Sequence, residues 1–84
     1  MDFNETIYRI KGIIIRIMEL SIDPNSIQGD DLINELGINS IDAMEILVTV
    51  EGEFGIEIDD EDLNSDLIQS LRKLAEYTIR KCSS

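Results

Sequence analysis

The chain contains no histidine. That removes the commonest general base and any Ser–His or Cys–His nucleophile pair. One cysteine is present, Cys82. It cannot close an intramolecular disulfide, and no Cys/His set exists for zinc. Nothing therefore demands an oxidising compartment. Tryptophan is absent, and there are only two phenylalanines and two tyrosines, so a core has to come from isoleucine and leucine. The run Ile13-Ile14-Ile15 falls far short of the roughly 20 apolar residues that span a bilayer. The start, Met1-Asp2-Phe3-Asn4-Glu5, is acidic where a signal peptide is basic. The expectation is a cytoplasmic protein without membrane insertion.

Basic residues are also missing from most of the chain. The seven are Arg9, Lys11, Arg16, Arg72, Lys73, Arg80 and Lys81, and none occurs between Ile17 and Leu71. Of eighteen acids, all but Asp2, Glu5 and Glu76 lie in that interval, and the net charge is −11. Phosphate-backbone binding needs Lys and Arg, so nucleic acid is excluded as a partner. Basic protein surfaces or cations are favoured. At 84 residues the chain is read as one domain, 1–84. A chain this short buries only about 60% of its unfolded surface, which leaves little room for a deep enzyme pocket. With no histidine, cofactor loop or metal set, a non-catalytic role is expected.

What is present is helical pattern. Phe3, Ile7, Ile10, Ile14, Ile17 and Met18 recur at steps of three and four, one face of a helix that ends near Leu20. Asp2 or Asn4 can cap it. Ser21 to Asn39 forms a long connection. Asp23-Pro24-Asn25 supplies turn chemistry, Ile22 and Ile27 are available to pin the loop, and Asp31 to Leu36 reads as a short turn stopped by Gly37. The second full helix starts at Asn39 or Ser40, with Ile41, Met44, Leu47, Val48 and Phe54 near one face and Gly55 as its stop. Ile56-Glu57-Ile58 alternates like a strand but has no partner strand, so it reads as extended loop. Asp59 or Asp60 then begins a short helix through Asn64. The last helix carries Leu71, Leu74, Ala75, Thr78 and Ile79, with Ser70 preferred over Asp66 as its cap. Arg80 and Lys81 suit its negative end. The sum is an all-α fold, a small four-helix bundle of three main helices plus one short helix, with a long loop between helices one and two.

The stretch Gly37-Ile38-Asn39-Ser40-Ile41-Asp42 puts a serine at a helix N-terminus, where free N–H groups and the dipole favour an anion. Nothing near Ser40 in sequence can activate its hydroxyl. If it is used chemically, another enzyme must act on it.

Leu36-Gly37-Ile38-Asn39-Ser40-Ile41, then Glu45-Ile46, then Glu51-Gly52-Glu53-Phe54-Gly55-Ile56-Glu57-Ile58 resembles the core motif of the acyl (phosphopantetheine) carrier proteins. That pattern is roughly Leu-Gly-x-Asp-Ser-Leu-x-x-x-Glu-Leu followed by Glu-x-x-Phe-Gly-x-x-Ile. The resemblance runs from the first helix to Tyr77. It implies that Ser40 is esterified to a phosphopantetheine arm derived from coenzyme A. It also implies that Asp42, Met44, Glu45 and Glu51 lie on a partner-recognition helix, with Glu57, Asp59 and Asp60 extending its acidic face. By the same resemblance Met44, Leu47, Ile58, Leu63 and Ala75 are candidates to line a space for a carried chain. The implied partners are a phosphopantetheinyl transferase, an acyl- or aminoacyl-loading enzyme, and synthases or transferases with basic docking patches. The carrier itself is expected to be monomeric. One departure stands out: the family usually has Asp before the serine and this chain has Asn39. That bears on recognition by a transferase that uses the carboxylate, and it points toward a specialised lipid, polyketide or nonribosomal peptide pathway. Two other readings compete. A calcium loop starting at Asp59 fails, because its sixth position is Asn64 rather than Gly and its twelfth is Ser70 rather than Glu. A plain acidic interaction module would leave Ser40 unmodified.

Overall fold

The computed structural model describes residues 2–83. Helix α1 spans Phe3–Met18, α2 Leu32–Leu36, α3 Ser40–Phe54 and α4 Leu71–Cys82, with single 3-10 turns at Pro24–Ser26 and Asp60–Asp62. No strand occurs among the described residues, and the all-α bundle expected from the sequence is what forms.

Local chemistry explains most of the boundaries. Of the two candidate caps for α1, Asp2 is used: its carboxylate accepts the Glu5 N–H at 3.2 Å. The helix ends at Met18, before the expected Leu20, because Glu19 turns left-handed at φ 54°. The Leu20 N–H reaches back to the Ile15 carbonyl at 3.0 Å, so the last carbonyls are satisfied without a glycine. In the long loop the Asp23 carboxylate accepts the Asn25 N–H at 2.9 Å and sets the Pro24 turn. Ile27 is buried and pins this loop, whereas Ile22 is exposed. At α4 the preferred cap is confirmed: Ser70 Oγ accepts the Lys73 N–H at 3.0 Å.

The short helix expected through Asn64 contracts to the turn Asp60–Asp62. Asp59 makes no side-chain capping bond. Beyond the turn, Asn64 uses its side chain to accept the Asp66 N–H at 2.9 Å, a local bond that competes with helix. The short α-helix of the bundle is instead α2, which the sequence presents only as a turn.

α1 packs against both α3 and α4. A single cluster joins Ile10, Ile13 and Ile14 of α1, Leu32 of α2, Ala43, Ile46, Leu47 and Val50 of α3, and Leu71, Leu74, Ala75 and Tyr77 of α4, with Ile27, Ile38, Ile58, Leu67 and Ile68 from the connections. Burying each large aliphatic contributes about 1.5–3 kcal/mol, set against the entropy of ordering the chain. Thr6 and Thr78 are buried as well, but their hydroxyls donate to the Asp2 and Leu74 carbonyls at 2.9 and 2.8 Å, so neither is left unsatisfied.

α3 is oriented differently from a simple apolar-in arrangement. Its buried residues are Ala43, Ile46, Leu47 and Val50. Ile41, Met44 and Val48, expected beside Leu47 on one apolar face, are 75%, 41% and 54% exposed. The apolar arc of α3 is wider than the surface that its neighbours cover, so part of it faces water.

Candidate functional site

The site begins with the turn ahead of α3. Gly37 sits at φ 67°, a left-handed position that glycine takes without steric cost. The Ile38 N–H donates back to the Ile33 carbonyl at 3.0 Å, and the Ile38 side chain is buried. This pair of anchors ends α2 and aims the chain into α3. Asn39 follows in extended geometry, and its Oδ1 accepts the Asp42 N–H at 2.7 Å. Its carbonyl takes the first helical bond, from the Ala43 N–H at 2.9 Å.

Ser40 is therefore the first residue inside a 15-residue helix, and it is exposed. Its hydroxyl is not needed as a cap, because Asn39 already does that. First-turn N–H groups lack intrahelical partners and carry the positive end of the dipole. The residues beside it in the turn are Asn39, Ile41 and Asp42, no histidine exists in the chain, and the Lys and Arg residues belong to α1 and α4. The arrangement presents a serine to an outside catalyst and would hold a phosphodiester on it in a favourable field.

Around Ser40 the structure collects some of the expected recognition residues and disperses others. Ile41, Met44 and Val48 form an exposed apolar stripe along α3, with exposed Glu45 and half-buried Asp42 beside it. Ile41 and Val48 were not singled out for recognition from the sequence. Their periodicity could be read equally as core. Glu51 is turned partly inward, and its Oε2 accepts the Ile58 N–H at 2.7 Å. Glu57 and Asp60 are exposed beyond the end of α3, while Asp59 is held by Lys81 Nζ at 2.9 Å. Of the candidate lining residues, Leu47, Ile58 and Ala75 are buried in the common cluster and Leu63 packs against it. Met44 lies apart from them, at the surface.

Two features carry tertiary information that the sequence hides. Glu53 pairs with both Arg9 and Arg16, at 3.9 and 3.4 Å, and Arg9 stacks over the Phe54 ring at 4.3 Å. This fastens the end of α3 to α1. The second feature centres on Tyr77. Its hydroxyl accepts the Asp59 N–H at 3.2 Å and donates to Asp62 Oδ2 at 3.0 Å. A buried tyrosine hydroxyl needs a partner, and that requirement was the signal available in the sequence. The Asp59, Glu61 and Asp62 carboxylates lie within 4.8 Å of one another, but Asp59 is neutralised by Lys81 and Asp62 is engaged by Tyr77.

Burial, opposed by the Asp59 N–H and reinforced by Asp62, holds the Tyr77 phenol above its ordinary 10.0. The hydrogen bond to Asp59 raises the Lys81 ammonium above 10.5. Both folded values exceed the unfolded ones, so their contribution is intact below about 10 and is lost as pH rises through the folded values. Thermal unfolding should shift to lower temperature as pH rises above about 10. The drop should be smaller in Tyr77→Phe, and equal drops would show that the phenol is not responsible.

Comparison with known proteins follows the same residues. The family model described as "Phosphopantetheine attachment site" matches residues 9–78. The acyl carrier protein of Bdellovibrio bacteriovorus is 31% identical over 74 residues, covering 87% of this chain and 90% of that protein. The mitochondrial acyl carrier protein of Neurospora crassa is 32% identical over 76 residues, covering 90% of this chain and 55% of that protein. The exposed first turn of α3 suits the prosthetic group that such a match implies. The chain belongs to the acyl carrier protein family, whose members carry a covalently attached phosphopantetheine group.

Proposed function

We propose that the chain is a single carrier domain, 1–84, that is itself non-catalytic, with the phosphopantetheine arm attached to Ser40 Oγ by a partner transferase. The observation that carries this reading is the exposed serine at the head of α3, where Asn39 rather than the serine caps the helix. The arm would supply a terminal thiol that holds acyl, aminoacyl or polyketide cargo as a thioester. The protein's own part is to present Ser40 on a rigid helix end and to offer partners a surface. The test is to incubate the protein with coenzyme A, Mg²⁺ and a promiscuous phosphopantetheinyl transferase and to record the intact mass. One added phosphopantetheine supports the reading. No shift, under conditions that modify a control carrier, would favour the acidic interaction module with unmodified Ser40.

Partner docking is assigned to Asp42 and Glu45 beside the stripe Ile41, Met44 and Val48, with Glu57 and Asp60 further along. Glu51 and Asp59 contribute from their structural positions. Basic patches on loading enzymes, synthases and transferases would be steered there. No helix among the described residues is long and apolar enough to cross a membrane. The double variant Asp42→Lys/Glu45→Lys should slow enzymatic loading by about tenfold at low salt, with the gap closing as salt is raised. A gap that salt leaves unchanged would count against electrostatic docking. The uncharged cap Asn39 supports a specialised lipid, polyketide or nonribosomal peptide pathway over housekeeping fatty-acid synthesis, and mass analysis of cargo trapped in cells decides between them. A monomer in the cytoplasm is the default placement. The mitochondrial relative makes organelle fractionation the measurement to run beside it.

A further inference from the structure

An open cleft of about 270 Å³ lies between the first half of α1 and the first turn of α4. Phe3 and Ile7 of α1 and Leu71 of α4 give it an apolar wall, and Lys11 and Arg72 line it as well. Among the described residues that line it there is no Asp or Glu. In a chain with eighteen acids and seven bases, that is a local inversion of charge. Other cations are committed: Arg9 and Arg16 to Glu53, and Lys81 to Asp59. Lys11 pairs with no carboxylate among the described residues. Arg72 meets Glu76 at 3.6 Å with its side chain 81% exposed, a weak surface pair that a better acceptor displaces. Arg72 also stands in the first turn of α4, where N–H groups lack intrahelical partners and the dipole favours an anion.

The cleft is preformed. Its loop wall is Gln28 and Gly29, and the Glu35 carboxylate accepts both of their N–H groups, at 2.8 and 3.0 Å. The Gly29 carbonyl in turn accepts the Leu71 N–H at 2.9 Å, which fixes the loop wall to α4. Little ordering entropy is therefore lost when something binds there. On the other wall Ile7 packs against the core, while Phe3 stays 38% exposed and offers an aromatic edge to a visitor.

Size and charge together select the occupant. The volume is below the roughly 300–1,000 Å³ that buries a drug-sized molecule, and it suits one large side chain of the kind that anchors a protein interface. An anionic bilayer or a second copy would bring negative charge over a wide area against a net −11. A short acidic segment meets mainly the local cations. We propose that the cleft is a docking site for an acidic peptide segment of a partner protein, with one apolar side chain seated on Phe3 and Ile7 and flanking carboxylates on Lys11 and Arg72. Such a partner is opposite in charge to those assigned to α3, and the site does not depend on what Ser40 carries.

The test pans a displayed library of random dodecapeptides on the unmodified protein at about 0.15 M salt. There the screening length of about 8 Å weakens the net repulsion but spares contact pairs. Enriched peptides should join Asp or Glu to a large apolar residue. One of them, titrated by NMR, should shift the amides of Ile7, Lys11, Gln28 and Arg72 more than those of Asp42 and Glu45. The double variant Lys11→Glu/Arg72→Glu should bind it about tenfold more weakly at unchanged far-UV circular dichroism. Phe3→Ala should also weaken it, by about fivefold. No enrichment, enrichment of basic or purely polar peptides, shifts centred on α3, or undiminished binding by the double variant would each overturn the site. Displacement of the peptide by sodium octanoate with the same amides shifted would make the cleft a site for small anionic amphiphiles and overturn the peptide reading. The same shifts on raising protein concentration alone would make the occupant a second copy and overturn it too.

Discussion

Ser40→Ala is expected to abolish phosphopantetheine attachment completely while leaving the fold intact. The loss follows from chemistry, because the ester needs an oxygen and alanine has none. The retained fold follows from the geometry of the helix start. Ser40 is exposed, and the capping acceptor for the Asp42 N–H is Asn39 Oδ1 rather than the serine. Alanine is the best helix former, so stability should change by no more than about 0.5 kcal/mol in either direction. Intact mass after incubation with coenzyme A and a transferase reads the first expectation, and urea unfolding followed by circular dichroism reads the second. Residual modification of the variant would move the attachment point to another serine. A large loss of stability would mean that the Ser40 hydroxyl helps hold the helix start and would undo the division of labour between Asn39 and Ser40.

The largest structural effect is expected from Gly29→Ala. Gly29 is buried at φ +85°, and a Cβ added there would lie 2.6 Å from Leu71 Cδ1 and 2.9 Å from Leu71 Cβ and Cγ. Leu71 cannot withdraw easily. It is 3% exposed, and its N–H is bound to the Gly29 carbonyl at 2.9 Å. The Gly29 N–H is also committed, to Glu35 Oε1 at 3.0 Å. Overpacking and the left-handed backbone together should cost about 2–4 kcal/mol. For a domain of this size that lowers the melting temperature by roughly 10–20 °C. Gly12→Ala is the control. It is a helical position with nothing within 4 Å of the added Cβ, and it should raise stability by about 0.5–1 kcal/mol. A Gly29→Ala protein that melts like wild type would show that the loop is not clamped to α4 as described.

The two ends of α3 are fastened in different ways. The head of α3 is made rigid by backbone geometry at Gly37, a buried Ile38 and the Asn39 cap. The segment after α3 hangs on side-chain hydrogen bonds from Glu51 and Tyr77. An attachment point benefits from the first arrangement, since partner enzymes must find one oxygen in one place.

What the sequence determined by itself was whatever depends on residues three or four apart. Gly37 and Gly55 end their helices, Ser70 is the preferred cap of α4, and α3 starts at Asn39 or Ser40; the structure then chose Asp2 over Asn4 for α1 and placed Ser40 one position inside α3. These are local hydrogen-bond and backbone-angle requirements, so spacing alone displays them, and the motif around Ser40 is legible for that reason. The absence of histidine was equally informative, because it removed the commonest general base. Only the tertiary structure decided which side of α3 is inside. Apolar residues occur on more than one side of that helix, and only the packing of α1 and the other neighbours sorts buried Ile46 and Leu47 from exposed Ile41, Met44 and Val48. The same holds for the acids. Glu51, Glu53, Asp59 and Asp62 look alike in a run of negative charge, yet each is committed by a group seven to forty-four residues away, and such pairings exist only once the helices have docked.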